Sequence, residues 1–404
     1  MKFKVIVLNF TLFCTASFIP LLAYSFIEEF MSIKQHDMQV PYFKELKRQI
    51  DIDYPLKINS VKGGYLPTFY PAETLRYFYS SKFYPLGTLP NTNSYLCNEG
   101  YGLVTYKSDR FGLRNKDQNW DKISKVGATF FIGDSYTHGA CVDDEYTFPQ
   151  VFERLNGANT INLGAGNNGP NEYIANLKGL VKPIVSKIKR QKFNVVLVFY
   201  DNDNVGYNQD VIKHLSVIKP IPVFTKKGKV NPSKQYNLTI KRIINKNYPT
   251  EEEGILNKLE LNKNKLLNPN KKMGFLYKVL SLWPLRRRII NLERFRGLHD
   301  DYSKSSTSLD AISELNDICN VNLLCTPYVA YIPNSDYWRP NQARDLYKLH
   351  LQKSSNKLKI KFIDGSTVID SRDVDDFAPI GPHLSKLGYQ KIAELISSHL
   401  SKKN

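Results

Sequence analysis

Three polar residues that could share one nucleophilic reaction lie far apart in this chain. Ser135 follows an apolar run in Phe130-Phe131-Ile132-Gly133-Asp134-Ser135-Tyr136-Thr137-His138-Gly139. Asn202 ends the β-branched and aromatic run Asn194-Val195-Val196-Leu197-Val198-Phe199-Tyr200-Asp201-Asn202. His383 sits in the Pro/Gly-rich stretch Asp376-Phe377-Ala378-Pro379-Ile380-Gly381-Pro382-His383. A serine hydroxyl becomes a useful nucleophile only beside a base, and the oxyanion it creates needs positioned donors. His383 offers the base and the Asn202 amide a donor. Between them, Leu163-Gly164-Ala165-Gly166-Asn167-Asn168-Gly169 is a loop able to aim backbone N–H groups at an anion. Asp134 reads as an organiser of the turn, and His138, too close in sequence to be aimed at Ser135, as local structure.

The elements that must position these groups follow from periodicity. Strands are expected at 128–132, 160–163, 194–200, 321–332 and 360–363, alternating with helices at 145–155, 172–188, 309–318 and 342–354 and a terminal helix bearing Ile392, Leu395, Ile396 and Leu400. Such alternation predicts a mainly parallel sheet covered on both faces, a three-layer α/β/α sandwich with flavodoxin-like character. Ser135 and Asn202 then fall at carboxyl ends of strands, where open α/β sheets bind ligands.

Taken together, the blocks around Ser135, Gly166-Asn167, Asn202 and His383 resemble the SGNH/GDSL hydrolase superfamily, whose serine, glycine, asparagine and histidine come in that order. The lead-in Ser108-Asp109-Arg110-Phe111-Gly112-Leu113-Arg114-Asn115 is similar to that of envelope-associated members. The resemblance spans about 100–204 and 310–400. It implies Ser135 as nucleophile, His383 as general base, and an oxyanion hole from the Ser135 N–H, the Gly166-Asn167 loop and Asn202. It also implies an aspartate three residues before the histidine, but that position is Ile380. Asp375 or Asp376 would have to fold back to the ring, or a backbone carbonyl hold it, and Asp376 is taken as the third member. The family's loop glycine aligns onto Asn167, and Asp201 stands where a glycine commonly precedes the asparagine.

The implied activity is a serine esterase acting on small acyl esters, most simply O-acetyl, of a cell-envelope or extracellular glycan. Transfer of the acyl group to a sugar, with a membrane protein as acyl donor, and a non-catalytic glycan-binding protein are the alternatives. Ile380 and Asn167 are the arguments for the last. No cofactor is expected, since neither a P-loop nor a Rossmann glycine fingerprint appears. No metal-ligand spacing is present either, the seven histidines being scattered.

At the amino end, Lys2 and Lys4 precede an apolar stretch from Val5 to Ile27, enough to span a bilayer at about 20 residues per crossing. Residues 1–30 are therefore read as a membrane anchor or, with cleavage near Ala23, a signal segment, leaving the rest periplasmic or extracellular. Residues 31–100, rich in tyrosine and phenylalanine, are expected to wrap the sheet, and 101–404 to form the hydrolase-like domain. An insertion at about 206–306 contributes much of the net charge of +18. Its Phe275–Leu285 run followed by Arg286, Arg287 and Arg288 would suit an anionic lipid surface, and the whole insertion equally a solvated segment. Nucleic acid is excluded as a partner, because no recognition motif accompanies the charge. Cys97, Cys141, Cys319 and Cys325 allow three disulfide connectivities, Cys319–Cys325 being one candidate pair.

Overall fold

In a computed structural model of the chain, the described residues are 40–72, 82–203, 218–267, 307–336 and 344–401, with isolated positions among 21–27 and at 215 and 338. The strands are β1 (Leu66–Pro67), β2 (Asn93–Tyr95), β3 (Thr105–Lys107), β4 (Ala128–Ile132), β5 (Thr160–Asn162), β6 (Phe193–Tyr200), β7 (Pro222–Phe224), β8 (Val230–Pro232), β9 (Thr326–Ile332) and β10 (Lys361–Asp364). The central sheet runs β10-β9-β6-β4-β5 with every pairing parallel. That is the order of a flavodoxin-like sheet, with its switch point between β4 and β6. Parallel pairing needs crossover helices that cover both faces, and β6, at the centre, buries every residue but Asn194. Its β-branched and aromatic sequence suits that double burial.

The helices are α1 (Val40–Lys62), α2 (Asn119–Val126), α3 (Ser135–His138), α4 (Phe148–Asn156), α5 (Pro170–Asn176), α6 (Lys182–Lys187), α7 (Lys234–Asn247), α8 (Glu252–Leu267), α9 (Thr307–Asn316), α10 (Arg344–Lys357) and α11 (Lys386–Ser401). On one face α4 and α11 close the layer, with the Phe148 and Tyr389 rings stacked at 6.5 Å. The expected helix over 172–188 is α5 and α6 joined by a π turn at Leu177–Val181. The last strand but one begins at Thr326, not Val321, because a π turn at Asp317–Val321 and the Cys319–Cys325 disulfide occupy the preceding residues.

A small sheet, β1-β2-β3, stands before the large one. It grows from the aromatic-rich segment: Phe69, Phe83, Tyr84 and Leu86 are buried. The connection between β2 and β3 is a hairpin, with Leu96 N–H donating to the Val104 carbonyl and Val104 N–H to that of Cys97. The lead-in segment holds a buried polar anchor near its start. Asp109 accepts from the Phe111 and Leu113 N–H groups, the Asn115 amide and the Trp120 indole, and burial pushes its carboxyl up to about 6.

The first part of the basic insertion packs rather than floats. Ile221 N–H donates to the Gly179 carbonyl, the Leu86 N–H to the Tyr236 hydroxyl, and Arg110 reaches Asn231 at 3.0 Å. The apolar-basic segment at 275–288 lies outside the described residues. So do Val5–Ile27 except for isolated positions, and among the described residues no helix is long and apolar enough to cross a membrane. The fold separates into two units: 1–54 with 258–304, and 55–257 with 305–404. In the first, Lys263 lies 4.3 Å from the centre of the Tyr54 ring. The second holds all three sheets.

Candidate active site

Ser135 follows β4 directly and opens α3. Asp134 caps this one-turn helix, its carboxylate accepting from Tyr136 N–H at 2.9 Å. As the first residue of a helix, Ser135 has an N–H with no intrahelical acceptor, which leaves it available to an oxyanion. Close packing around the turn requires glycine at 133, where a Cβ would come within 2.0 Å of the Thr137 hydroxyl and 2.9 Å of the Val198 carbonyl.

His383 arrives from the far end of the chain. The segment 376–385 is a hairpin, with Ala378 N–H donating to the His383 carbonyl and Ser385 N–H to that of Asp376. Tyr136, next to the serine, donates its hydroxyl to the Pro382 carbonyl at 2.7 Å and lies 4.9 Å from the imidazole, ring centre to ring centre. These contacts place His383 Nε2 2.9 Å from Ser135 Oγ. The two residues are 248 positions apart.

The carboxylate that meets the His383 ring is that of Glu99, not Asp376. Glu99, at the tip of the β2–β3 hairpin, sets Oε1 2.7 Å from His383 Nδ1 and accepts from the His383 N–H with Oε2 at 3.2 Å. Its backbone carbonyl also accepts from Ile380 N–H at 3.1 Å. The Ile380 position, where the resemblance leads one to expect an aspartate, is therefore tied through its backbone to the residue that supplies the carboxylate. Gly381 makes room for it: at φ +153°, a Cβ there would fall 2.1 Å from Glu99 Cδ. Asp376 faces the other way, fully buried, bonded to Lys391 Nζ at 2.6 Å and to Asp370 N–H at 3.0 Å. Hairpin geometry explains this, since Asp376 sits at the base of the hairpin whose far arm carries His383. Asp375 gives its backbone carbonyl to the Ser385 hydroxyl, also at the base.

Glu99 is held by its neighbours. Asn98 Oδ1 accepts from Gly100 and Gly102 N–H at 2.9 and 3.0 Å, which closes the tip. Two residues before Glu99, Cys97 is disulfide-bonded to Cys141 on the loop that follows α3. That loop is clamped by buried Arg114, which donates to the Gly139 and Val142 carbonyls, each at 2.8 Å, and pairs with Asp144 at 2.6 Å. One covalent bond thus ties the Glu99 hairpin to the loop that follows the Ser135 turn.

Gly166 and Asn167 line the same cleft. Gly166 packs under Tyr70, where a Cβ would come within 2.4 Å of the ring. Asn167 takes the left-handed conformation at φ +60°, so asparagine there adopts the geometry usually given to glycine. Asn202 lies in the short turn Asp201–Asp203 after β6, at the switch point beside Ser135; its side chain lies outside the described residues. Asp201 turns away to accept from the Tyr331 hydroxyl at 2.6 Å. His138 is buried against Tyr106, and burial, with Arg114 and His383 nearby, lowers its pKa to about 3. A neutral, inward-packed ring agrees with a structural role.

The cleft encloses about 460 Å³ and is floored by acids. Asp203 accepts from the Tyr173 hydroxyl and the Tyr200 N–H, both at 2.8 Å, while burial and the nearby Asp134 push its carboxyl well above the usual range. Glu172, bonded to the Tyr84 hydroxyl and Gly169 N–H, is also raised by burial. Both are thereby biased toward the neutral form. Among the described residues, Glu99, Cys141 and His383 bring metal-type donors within 4.8 Å of one another. Those donors are committed: the Cys141 sulfur to Cys97, and the other two to each other.

No protein-family model matches the sequence, and no curated protein matches it. Solved structures do align. A protein described as lipolytic and of the G-D-S-L family from Desulfitobacterium hafniense shares 13% identity over 67% of this chain and 98% of its own, with a TM-score of 0.32. A member of the lipolytic G-D-S-L family from Veillonella parvula shares 9% over 68% and 99%, at 0.32. A carbohydrate esterase family 2 enzyme with a carbohydrate-binding domain, from Corynascus thermopiles, shares 12% over 69% and 66%, at 0.34. At these scores the likenesses carry no functional argument, which rests instead on the site's geometry. That geometry, with Ser135 at the end of β4, Asn202 after β6 and His383 before the final helix of a parallel α/β/α sandwich, agrees with the SGNH/GDSL hydrolase pattern legible in the sequence.

Proposed function

We propose that this chain is an SGNH-type serine esterase that cleaves small acyl esters, most simply O-acetyl groups, on a cell-envelope or extracellular glycan. The observation that carries the reading is the continuous line Glu99–His383–Ser135, with successive contacts of 2.7 and 2.9 Å. In the reaction Ser135 Oγ attacks the ester carbonyl while His383 Nε2 takes its proton. Glu99 holds the Nδ1–H tautomer and stabilises the imidazolium that forms. The Ser135 N–H, the Gly166-Asn167 loop and, by resemblance, the Asn202 amide receive the oxyanion. His383 then protonates the departing alcohol, and water, activated by the same imidazole, releases the acid and regenerates the serine. A sugar hydroxyl in place of that water would make the enzyme a transferase.

The cleft's polar lining supports a hydroxylated substrate. The two disulfides support an oxidising compartment and so favour a domain held outside the cytoplasm, with residues 1–30 as its anchor. The two arguments for a non-catalytic protein lose their force, since Glu99 supplies the acid missing at Ile380 and Asn167 adopts the left-handed turn. The test is covalent labelling by a fluorophosphonate together with hydrolysis of an aryl acetate, compared with Ser135→Ala and His383→Ala. Loss of both signals in the variants is the expected result. A folded wild type that neither labels nor turns over would refute the reading.

A further inference from the structure

The cleft contains a polar group that the reaction above leaves unused. Asn168 is 4% exposed and lines the cleft beside Ser135, yet among the described residues neither its Oδ1 nor its Nδ2 has a hydrogen-bond partner. Its backbone is fixed, the N–H donating to the Ala165 carbonyl at 3.2 Å, so the side chain is presented from a closed loop. Three residues on, Asn171 lines the same cleft, and its Oδ1 is likewise buried and without a partner among the described residues. A desolvated carboxamide with both ends unmet is costly, and native sites normally complete it with a ligand or an ordered water.

The surroundings say what kind of ligand. Tyr70 presents a ring over Gly166 on one side, and the acidic floor of Glu172 and Asp203 is biased toward its neutral form by burial. An aromatic plate beside carboxamides with unmet donor and acceptor atoms suits a ring compound bearing hydroxyls. Each hydroxyl both donates and accepts, and a pair of adjacent hydroxyls matches a carboxamide, one donating to Oδ1 and the other accepting from Nδ2.

We infer that Asn168, assisted by Asn171, forms a subsite that reads hydroxyl groups on the alcohol side of the ester, selecting a sugar over a plain alcohol. The inference rests on the esterase reading and deepens it. Asn168 is then a specificity-determining residue, distinct from the groups that attack, transfer the proton or hold the oxyanion.

The experiment compares a mono-O-acetylated methyl glucoside with an aryl acetate, which has no hydroxyl on its leaving group, in the wild type, Asn168→Leu, Asn168→Asp and Asn171→Ala. The readout is the ratio of kcat/KM for the two esters. Leucine has nearly the shape of asparagine and removes both unmet groups, so this variant should melt no lower than the wild type. The ratio should fall by roughly tenfold to a hundredfold in Asn168→Leu, for two lost hydrogen bonds, and by a smaller factor in Asn168→Asp and in Asn171→Ala. A ratio within about threefold of wild type in Asn168→Leu overturns the inference. So does a lower melting temperature with an unchanged ratio, which would mean that an internal water completes the amide. A wild type that cleaves the aryl ester but ignores the glucoside also overturns the inference and leaves the esterase standing, whereas one that cleaves neither removes the esterase reading itself.

Discussion

Exchanging Glu99 for glutamine removes one charge and leaves the shape of the site almost unchanged. In the present geometry Oε1 lies 2.7 Å from His383 Nδ1, and the two side chains are 12% and 17% exposed. That partial exposure argues for a near-surface effective dielectric of about 20, at which unit charges about 4 Å apart interact by about 4 kcal/mol. The carboxylate gives this energy only once His383 becomes an imidazolium, during attack on the ester, so its loss falls on the chemical step. At about 1.4 kcal/mol per decade, Glu99→Gln should lower kcat for the aryl acetate by roughly 10³-fold with little change in KM. Glutamine also offers an N–H where the imidazole needs an acceptor, which favours the wrong tautomer. Fluorophosphonate labelling should slow in parallel, because it too needs the serine proton removed, and the melting temperature should change little. Glu99→Asp, one methylene shorter, should fall between the two. If Glu99→Gln keeps activity within about threefold of wild type while Asp376→Asn loses it, the assignment of the acid is wrong and the hairpin tip is only a support.

Asp376→Asn is expected to lower stability instead. The buried carboxylate loses its pair with Lys391, whose 32% exposure lets the freed ammonium reach water, so the cost should be about 1–2 kcal/mol. This would be read by denaturant titration, with kcat within about threefold of wild type. Reducing Cys97–Cys141, or replacing both by serine, opens a tether between residues 44 apart, for which chain entropy alone gives about 4 kcal/mol. A lower midpoint accompanied by a drop in kcat is expected, and unchanged kcat in folded protein would show that the tether does not position Glu99. Gly381→Ala should push the Glu99 carboxylate aside and reproduce much of the Glu99→Gln defect, measured on the same ester. His138 has a folded pKa of about 3, below its unfolded value of 6.5. The unfolded state therefore binds more protons between these values, and the contribution to stability is present above pH 6.5 and lost as pH falls toward 3. At about 1.4 kcal/mol per unit, the full span is worth about 5 kcal/mol. The wild type should lose stability over this window more steeply than His138→Asn, in urea titrations across pH; parallel curves would sink the assignment.

The sandwich was legible because its strands carry their own signal. The run at 193–200 is apolar on both faces, a pattern that only a covered parallel strand requires, and strand and helix alternate on both sides of it. Ser135 and Asn202 stand out for the same reason, each sitting where a periodic strand stops, and His383 because its loop leads into a periodic helix. Boundaries failed where a long-range constraint overrode the local pattern, as at 321–325, where the disulfide and a π turn take residues that alternation alone gives to a strand.

Glu99 is not legible in the sequence because nothing local distinguishes it. It is an acid at the tip of an Asn-Glu-Gly turn, a setting in which acids are common and solvated, and its partner is 284 residues away. The available hints were indirect: a cysteine two residues earlier, and an absence at Ile380. Once the fold is known, the substitution has a physical logic. An acid three residues before the histidine would have to turn back within a tight hairpin, whereas an acid delivered from a separate hairpin can meet Nδ1 end-on and also accept from the histidine's own N–H. The cost is that its position depends on a remote segment. The Cys97–Cys141 bond, the Ile380 backbone bond and the bare face of Gly381 each restrict that dependence. If this is correct, the aromatic-rich segment before residue 100 is part of the catalytic apparatus. Its deletion should abolish turnover even where the α/β/α sandwich still folds, as judged by circular dichroism, and addition of the deleted segment in trans should not restore it.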